Sequence, residues 1–180
     1  MNKILDAIEL ARVIPALVID DASAAKGVVS ALQDGGIHCA EFTLRTPAGI
    51  AAIAAVAGTA GFTLGAGTVL SISDVDECIN AGAEFIICPG FDREVVEYAL
   101  GREIVAVPGV ATPSEIQSAL RIGMDVLKLF PAEQVGGLDA VKSLSGPFPN
   151  VQFIPSGGVG LHNAREYLAH PSVFAISGSW

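Results

Sequence analysis

Short apolar runs alternate with amphipathic stretches along nearly the whole chain. Val13 to Ile19 is apolar and partly β-branched, and reads as a first strand. His38 to Leu44, Phe62 to Ala66, Glu84 to Cys88 and Glu103 to Val107 repeat that signature, followed by Asp125 to Phe130, Val151 to Pro155 and Val173 to Ser177. Helical periodicity fills the intervals. It predicts helices over 22–34, 47–57, from Ser73 to Gly82, over 91–100, from Thr112 to Gly123, over 137–144 and over 161–168. Before the first strand, apolar Ile4, Leu5 and Ile8 predict a short amphipathic helix over 1–10. Local chemistry marks several starts. Thr46 reads as a cap with Pro47 at the first helical position, and Ser73 as the next cap. Thr112-Pro113-Ser114-Glu115 has the form of a capping box.

Eight short apolar strands alternating with helices predict a parallel sheet with crossover helices. Eight such units fit a closed (β/α)8 TIM barrel, here a single domain over 1–180; a doubly wound open sheet is the alternative. Gly65-Ala66-Gly67 lacks the third glycine of a dinucleotide turn and carries little weight. Thr46 to Ile72 is uncharged and superficially resembles a membrane span. Pro47 and five glycines interrupt it, so it reads as a buried helix followed by a buried strand.

A net charge of −9 argues against nucleic acid and anionic membrane surfaces as partners. Half of the chain is hydrophobic (51%) and only 16% is charged, which leaves little for disordered tails. Cys39, Cys78 and Cys88 are scattered and form no C-x-x-C pair. Together with an N-terminus in which Asp6 and Glu9 interrupt any apolar signal region, they point to a reduced cytoplasm.

In such barrels the active site gathers at the C-terminal ends of the strands. Lys128 lies in the middle of Val126-Leu127-Lys128-Leu129-Phe130, where alternation puts it on one face with Val126 and Phe130. Apolar flanks favour the neutral amine, the form that attacks a carbonyl to make a Schiff base. In the second strand Cys39, Glu41, Thr43 and Arg45 share a face, which points Glu41 and Arg45 into the barrel. Thr68, Pro89, Phe130 and Ser156 mark other strand ends. A carboxylate, a guanidinium and a lysine inside one small barrel are an expensive set for structure alone. Ser156-Gly157-Gly158 and Ser177-Gly178-Ser179 follow the last two strands, where backbone N–H groups commonly hold phosphate. No His/Cys/Asp cluster suggests a metal, and His38, His162 and His170 read as strand-start and surface residues.

These motifs together resemble the family of 2-keto-3-deoxy-6-phosphogluconate (KDPG) and 4-hydroxy-2-oxoglutarate (KHG) aldolases. The resemblance rests on Glu41-Phe42-Thr43-Leu44-Arg45-Thr46, Gly65-Ala66-Gly67-Thr68-Val69, Pro89-Gly90 and Lys128-Leu129-Phe130-Pro131-Ala132-Glu133. Pro155-Ser156-Gly157-Gly158 and Gly178-Ser179-Trp180 complete it. It runs from about residue 12 to the end. The resemblance implies a class I aldolase that cleaves KDPG to pyruvate and glyceraldehyde 3-phosphate, with KHG, giving pyruvate and glyoxylate, as a further substrate. It implies Lys128 as the Schiff-base lysine and Glu41 as the general acid/base acting through water. Arg45 and Thr68 would hold the pyruvate carboxylate, and Pro89 and Phe130 would shape the pocket. Ser156 would lie near the substrate hydroxyls, and Gly157, Gly158, Gly178 and Ser179 would form the phosphate site. It further implies no cofactor, no metal and a homotrimer. A phosphosugar isomerase or epimerase barrel, or a non-catalytic barrel binding a phosphate ligand, would share the glycine turns without needing a Schiff base. Family members continue past the eighth strand into a last helix, which this chain, ending at Trp180, lacks; the expectation is a longer physiological chain.

Overall fold

The computed structural model describes residues 2–180, so Met1 of the expected N-terminal helix lies outside the described residues. Strands and helices alternate. The strands are β1 (Val13–Leu17), β2 (Cys39–Thr43), β3 (Thr63–Gly67), β4 (Phe85–Ile87), β5 (Val105–Val107), β6 (Gly109–Val110), β7 (Val126–Leu129), β8 (Gln152–Pro155) and β9 (Ile176–Gly178). The helices are α1 (Lys3–Ala11), α2 (Ala25–Asp34), α3 (Gly49–Val56), α4 (Ile72–Ala81), α5 (Arg93–Gly101), α6 (Pro113–Leu120), α7 (Gly137–Ser145) and α8 (Ala164–Ala169).

The parallel α/β pattern is present, but the strands do not form a single closed eight-stranded TIM barrel ladder. They divide into a six-stranded sheet, ordered β5-β4-β3-β2-β1-β9, and a three-stranded sheet, ordered β6-β7-β8. Two local causes are visible. Pro108 separates β5 from β6, and proline has no N–H to donate to a ladder. At the other junction β8 meets the segment of β9 only through isolated bridges, Phe153 to Val173 and Ser156 to Ser177. The Lys128 N–H donates to the Pro108 carbonyl at 2.9 Å, which sets the height of Lys128 relative to the break.

Two expected caps also move. Thr46 does not cap a helix: its hydroxyl donates to the Ile19 carbonyl, and α3 begins at Gly49. Ser71 rather than Ser73 caps α4, in a capping box with Asp74. The capping box at Thr112 and Glu115 forms, with Pro113 in the first turn of α6.

Helices α2 to α5 cover the outer face of the larger sheet, on Phe42, Leu64, Ile86 and Ala106. Helices α6 to α8 pack on Leu127, Leu129 and Phe153 of the smaller one. Between the sheets lies a third core made of Ile14, Cys39, Phe85, Ile87, Val126 and Ile154, closed at one end by Ile8 of α1. Arg12, just after α1, donates to the carbonyls of Leu168, Val173 and Phe174 and so ties the start of the fold to the approach of β9. Among the described residues no helix is long and apolar enough to cross a membrane; the uncharged stretch 46–72 contains α3, half of it buried, and β3, almost wholly buried.

Candidate active site

The strand period of two puts a polar residue directly after an apolar one on the inner face of several strands. Cys39 is followed on that face by Glu41, Val126 by Lys128, Ile154 by Ser156 and Ala175 by Ser177. The apolar members form the core between the sheets. The polar members collect at the C-terminal ends, all of them buried.

Lys128 and Glu41 lie on different sheets and meet across this interior. Lys128 Nζ is 3.5 Å from Glu41 Oε1, and the two residues are only 4% and 1% exposed. A long, water-excluded ion pair of this kind is a poor source of stability, because desolvation of both charges offsets most of their attraction. The Ser177 hydroxyl donates to the same Oε1 at 2.9 Å. Glu41 Oε2 is buried without a hydrogen-bond partner. It lies against Gly67, where a Cβ would come within 2.1 Å of it, so a side chain there would push the carboxylate aside. The ammonium of Lys128 also lies 5.4 Å from the centroid of the Phe130 ring, within cation–π range.

Above the pair opens a cavity of about 500 Å³. Arg45, Thr68, Pro89 and Phe130 line one part of it. Ser156, Gly157, Gly158, Gly178 and Ser179 line the other. All nine residues named for substrate binding from the sequence therefore border one cavity. Lys128 and Glu41 do not line it themselves; they lie buried behind Phe130 and Ala16, which do. Arg45 does not point into the interior as expected from alternation. It lies beyond the end of β2, exposed, and reaches over to Thr68, whose hydroxyl accepts from its Nε at 3.3 Å. Thr68 itself has φ of 61°, a strained conformation for a β-branched residue. Gly157 and Gly158 have φ of 92° and 80°, which lets consecutive backbone groups turn toward the cavity.

From the sequence, Ser177 reads only as part of a glycine-rich turn. Its alternation with Ala175 was a usable signal, but its partner, Glu41, lies 136 residues away. Trp180, Ala16 and Val159 also line the cavity without having been singled out for it. His38 and His162 are exposed and His170 is half-buried. Among the described residues no group of three or more His, Cys, Asp or Glu side chains is placed to hold a metal ion.

Comparison with known proteins gives one consistent result. A family model for the KDPG and KHG aldolases matches residues 4–180. The 2-dehydro-3-deoxy-phosphogluconate aldolase of Treponema pallidum is 42% identical over 181 residues, spanning 100% of this chain and 86% of its own. The KDPG aldolase of Zymomonas mobilis, solved with 3-phosphoglycerate, superposes with a TM-score of 0.96 at 39% identity, covering 100% of this chain and 86% of that one. The KDPG aldolase of Legionella pneumophila, solved with pyruvate captured as a covalent carbinolamine, superposes with a TM-score of 0.95 at 39% identity, covering 99% and 87%. This chain belongs to the KDPG and KHG aldolase family, a family of lyases.

Proposed function

We propose that the protein is a class I aldolase that cleaves KDPG to pyruvate and glyceraldehyde 3-phosphate, with KHG as a second substrate. The observation that carries this reading is the buried Lys128–Glu41 pair beside a cavity rimmed by glycine turns. Lys128 passes a proton to Glu41, 3.5 Å away, and the freed Nζ lone pair attacks the C2 ketone; Glu41 then returns that proton to the carbinolamine hydroxyl, which leaves as water as the iminium forms. The iminium next accepts the electron pair of the C3–C4 bond as Glu41 takes the C4 hydroxyl proton. Glyceraldehyde 3-phosphate leaves, and the enamine of pyruvate is protonated at C3 and hydrolysed from Lys128.

The remaining roles follow position. Arg45 and Thr68, joined by their hydrogen bond, hold the pyruvate carboxylate. Phe130 and Pro89 pack against the three-carbon unit, and Ser156 meets the substrate hydroxyls. Gly157, Gly158, Gly178 and Ser179 receive the phosphate through backbone N–H groups and a hydroxyl, as anion-binding turns do. This last set favours the phosphorylated substrate over KHG.

The test supplies KDPG, its dephosphorylated analogue and KHG to the protein and quantifies pyruvate and aldehyde. Equimolar pyruvate and glyceraldehyde 3-phosphate from KDPG, with a clearly higher KM for the analogue, is the expected result. Failure to release pyruvate from any of the three overturns the assignment. The same reading carries a cytoplasmic homotrimer, in line with a chain of 180 residues that is 51% hydrophobic. A stable monomer in sedimentation contradicts the trimer.

A further inference from the structure

Glu41 has to move protons at several steps, yet among the described residues its carboxylate touches only two polar groups, Lys128 and Ser177. The lysine contact is long, at 3.5 Å, and it changes during the reaction because Nζ becomes part of an imine. The contact with Ser177 is short, at 2.9 Å, and takes no part in the bond changes. Ser177 is fully buried on β9, in register with Ile14 of β1 and bridged to Ser156 beyond β8. Its hydroxyl has a fixed backbone on both sides. Opposite it, the missing side chain of Gly67 leaves the recess that takes Oε2.

We propose that Ser177 is a positioning residue for Glu41. Its hydroxyl anchors Oε1 while Gly67 makes room for Oε2, so the carboxylate keeps one orientation through imine formation, cleavage and enamine protonation. The proposal rests on the reading of Glu41 as the acid/base of a Schiff-base aldolase. It adds a residue that acts on proton transfer without touching the substrate. A buried carboxylate held by one charge-assisted hydrogen bond loses its fixed geometry when that donor is removed. Attack by Lys128 on the ketone does not depend on the bond to the same degree.

The experiment uses the full chain with Ser177→Ala, Ser177→Cys and, beside them, Glu41→Gln. Each is incubated with pyruvate. The yield of borohydride-reduced adduct on Lys128 and the rate of methyl proton exchange in deuterium oxide are both measured. Ser177→Ala is expected to trap pyruvate to the parent yield and to exchange roughly 10- to 100-fold more slowly, the size of one lost hydrogen bond to a charged group. For cleavage, kcat falls with exchange while KM stays within about twofold, because ground-state binding is untouched. Ser177→Cys, a weaker donor of similar size, falls between serine and alanine. Exchange at the parent rate in Ser177→Ala overturns the proposal. So does an equal fall in adduct yield and exchange, which would mean a general loss of the site. If Glu41→Gln exchanges at the parent rate, the assignment of Glu41 as base has failed. If the parent protein gives no adduct, the aldolase reading has failed instead.

Discussion

The space between the two sheets has two ends of opposite character, built from the same strands two residues apart. At the N-terminal end Cys39, Val126, Ile154 and Ala175 pack with Phe85, Ile14 and Ile8 in a fully apolar core. At the C-terminal end Glu41, Lys128, Ser156 and Ser177 occupy the next inward positions, buried as deeply. The first end gains from every area it removes from water, at about 25 cal/mol per Å². The second buries two charges, leaves Glu41 Oε2 without a partner and holds Thr68 in a strained conformation. One unsatisfied buried polar group alone costs about 1–3 kcal/mol. The apolar end supports the fold, and the polar end adds little to it.

The largest expected effect lies at the polar end. Lys128→Ala and Lys128→Arg both abolish cleavage in a pyruvate-release assay, since arginine keeps the charge but cannot form an imine. Measurable turnover in either variant would remove the functional half of the contrast. At the apolar end, Phe85→Ala leaves a cavity where the ring fills the space beside Gly65. It lowers unfolding free energy by about 3–5 kcal/mol in denaturant titration, while pyruvate still reacts with Lys128 in the folded fraction.

A smaller effect sharpens the comparison. If the ion pair contributes little to stability, replacing both members, Glu41→Gln with Lys128→Met, leaves unfolding free energy within about 1 kcal/mol of the parent or raises it. Lys128→Met alone is destabilised by about 3 kcal/mol, because Glu41 is then left buried without its partner. Equal destabilisation of the double and the single variant would show that the pair is structural.

The smallest effect concerns the thiols. Burial pushes Cys39, Cys78 and Cys88 each up to about 12 from the ordinary value of 9.0. At pH 8 only roughly one thiol in ten thousand is ionised. No alkylation by iodoacetamide is expected until the chain unfolds. The sign for stability follows: the unfolded chain releases these protons from about pH 9 while the folded one keeps them, so stability falls as pH rises from about 9 toward 12. Rapid labelling of Cys39 at pH 8 would mean that the apolar end opens readily.

Much of the site was legible because it depends on a period of two. Alternation alone put Glu41 with Cys39 and Lys128 with Val126 on inner faces, and the glycine turns followed the last strands. Arg45 was misdirected because β2 ends at Thr43, and alternation has no meaning past the end of a strand. Closure into one barrel was not legible. It depends on ladder continuity around Pro108 and between β8 and β9, and proline's missing donor breaks the first of these. Gly109–Val110 was missed as a strand because a Pro-Gly dipeptide reads locally as a turn, and only its pairing with Lys128 and Leu129 makes it one. The caps at Thr46 and Ser73 failed by a few residues, the usual uncertainty of element boundaries. Ser177 needed a contact across the fold that no local pattern carries.

The central claim is that Lys128 forms an imine with a 2-keto acid at the polar end. Incubating the protein with pyruvate, reducing with borohydride and mapping the adduct by peptide mass spectrometry tests it directly. A single pyruvate-derived adduct is expected on the peptide containing Lys128, absent from Lys128→Arg and from samples reduced without pyruvate. An adduct on another lysine, or none under conditions where KDPG is cleaved, would contradict it.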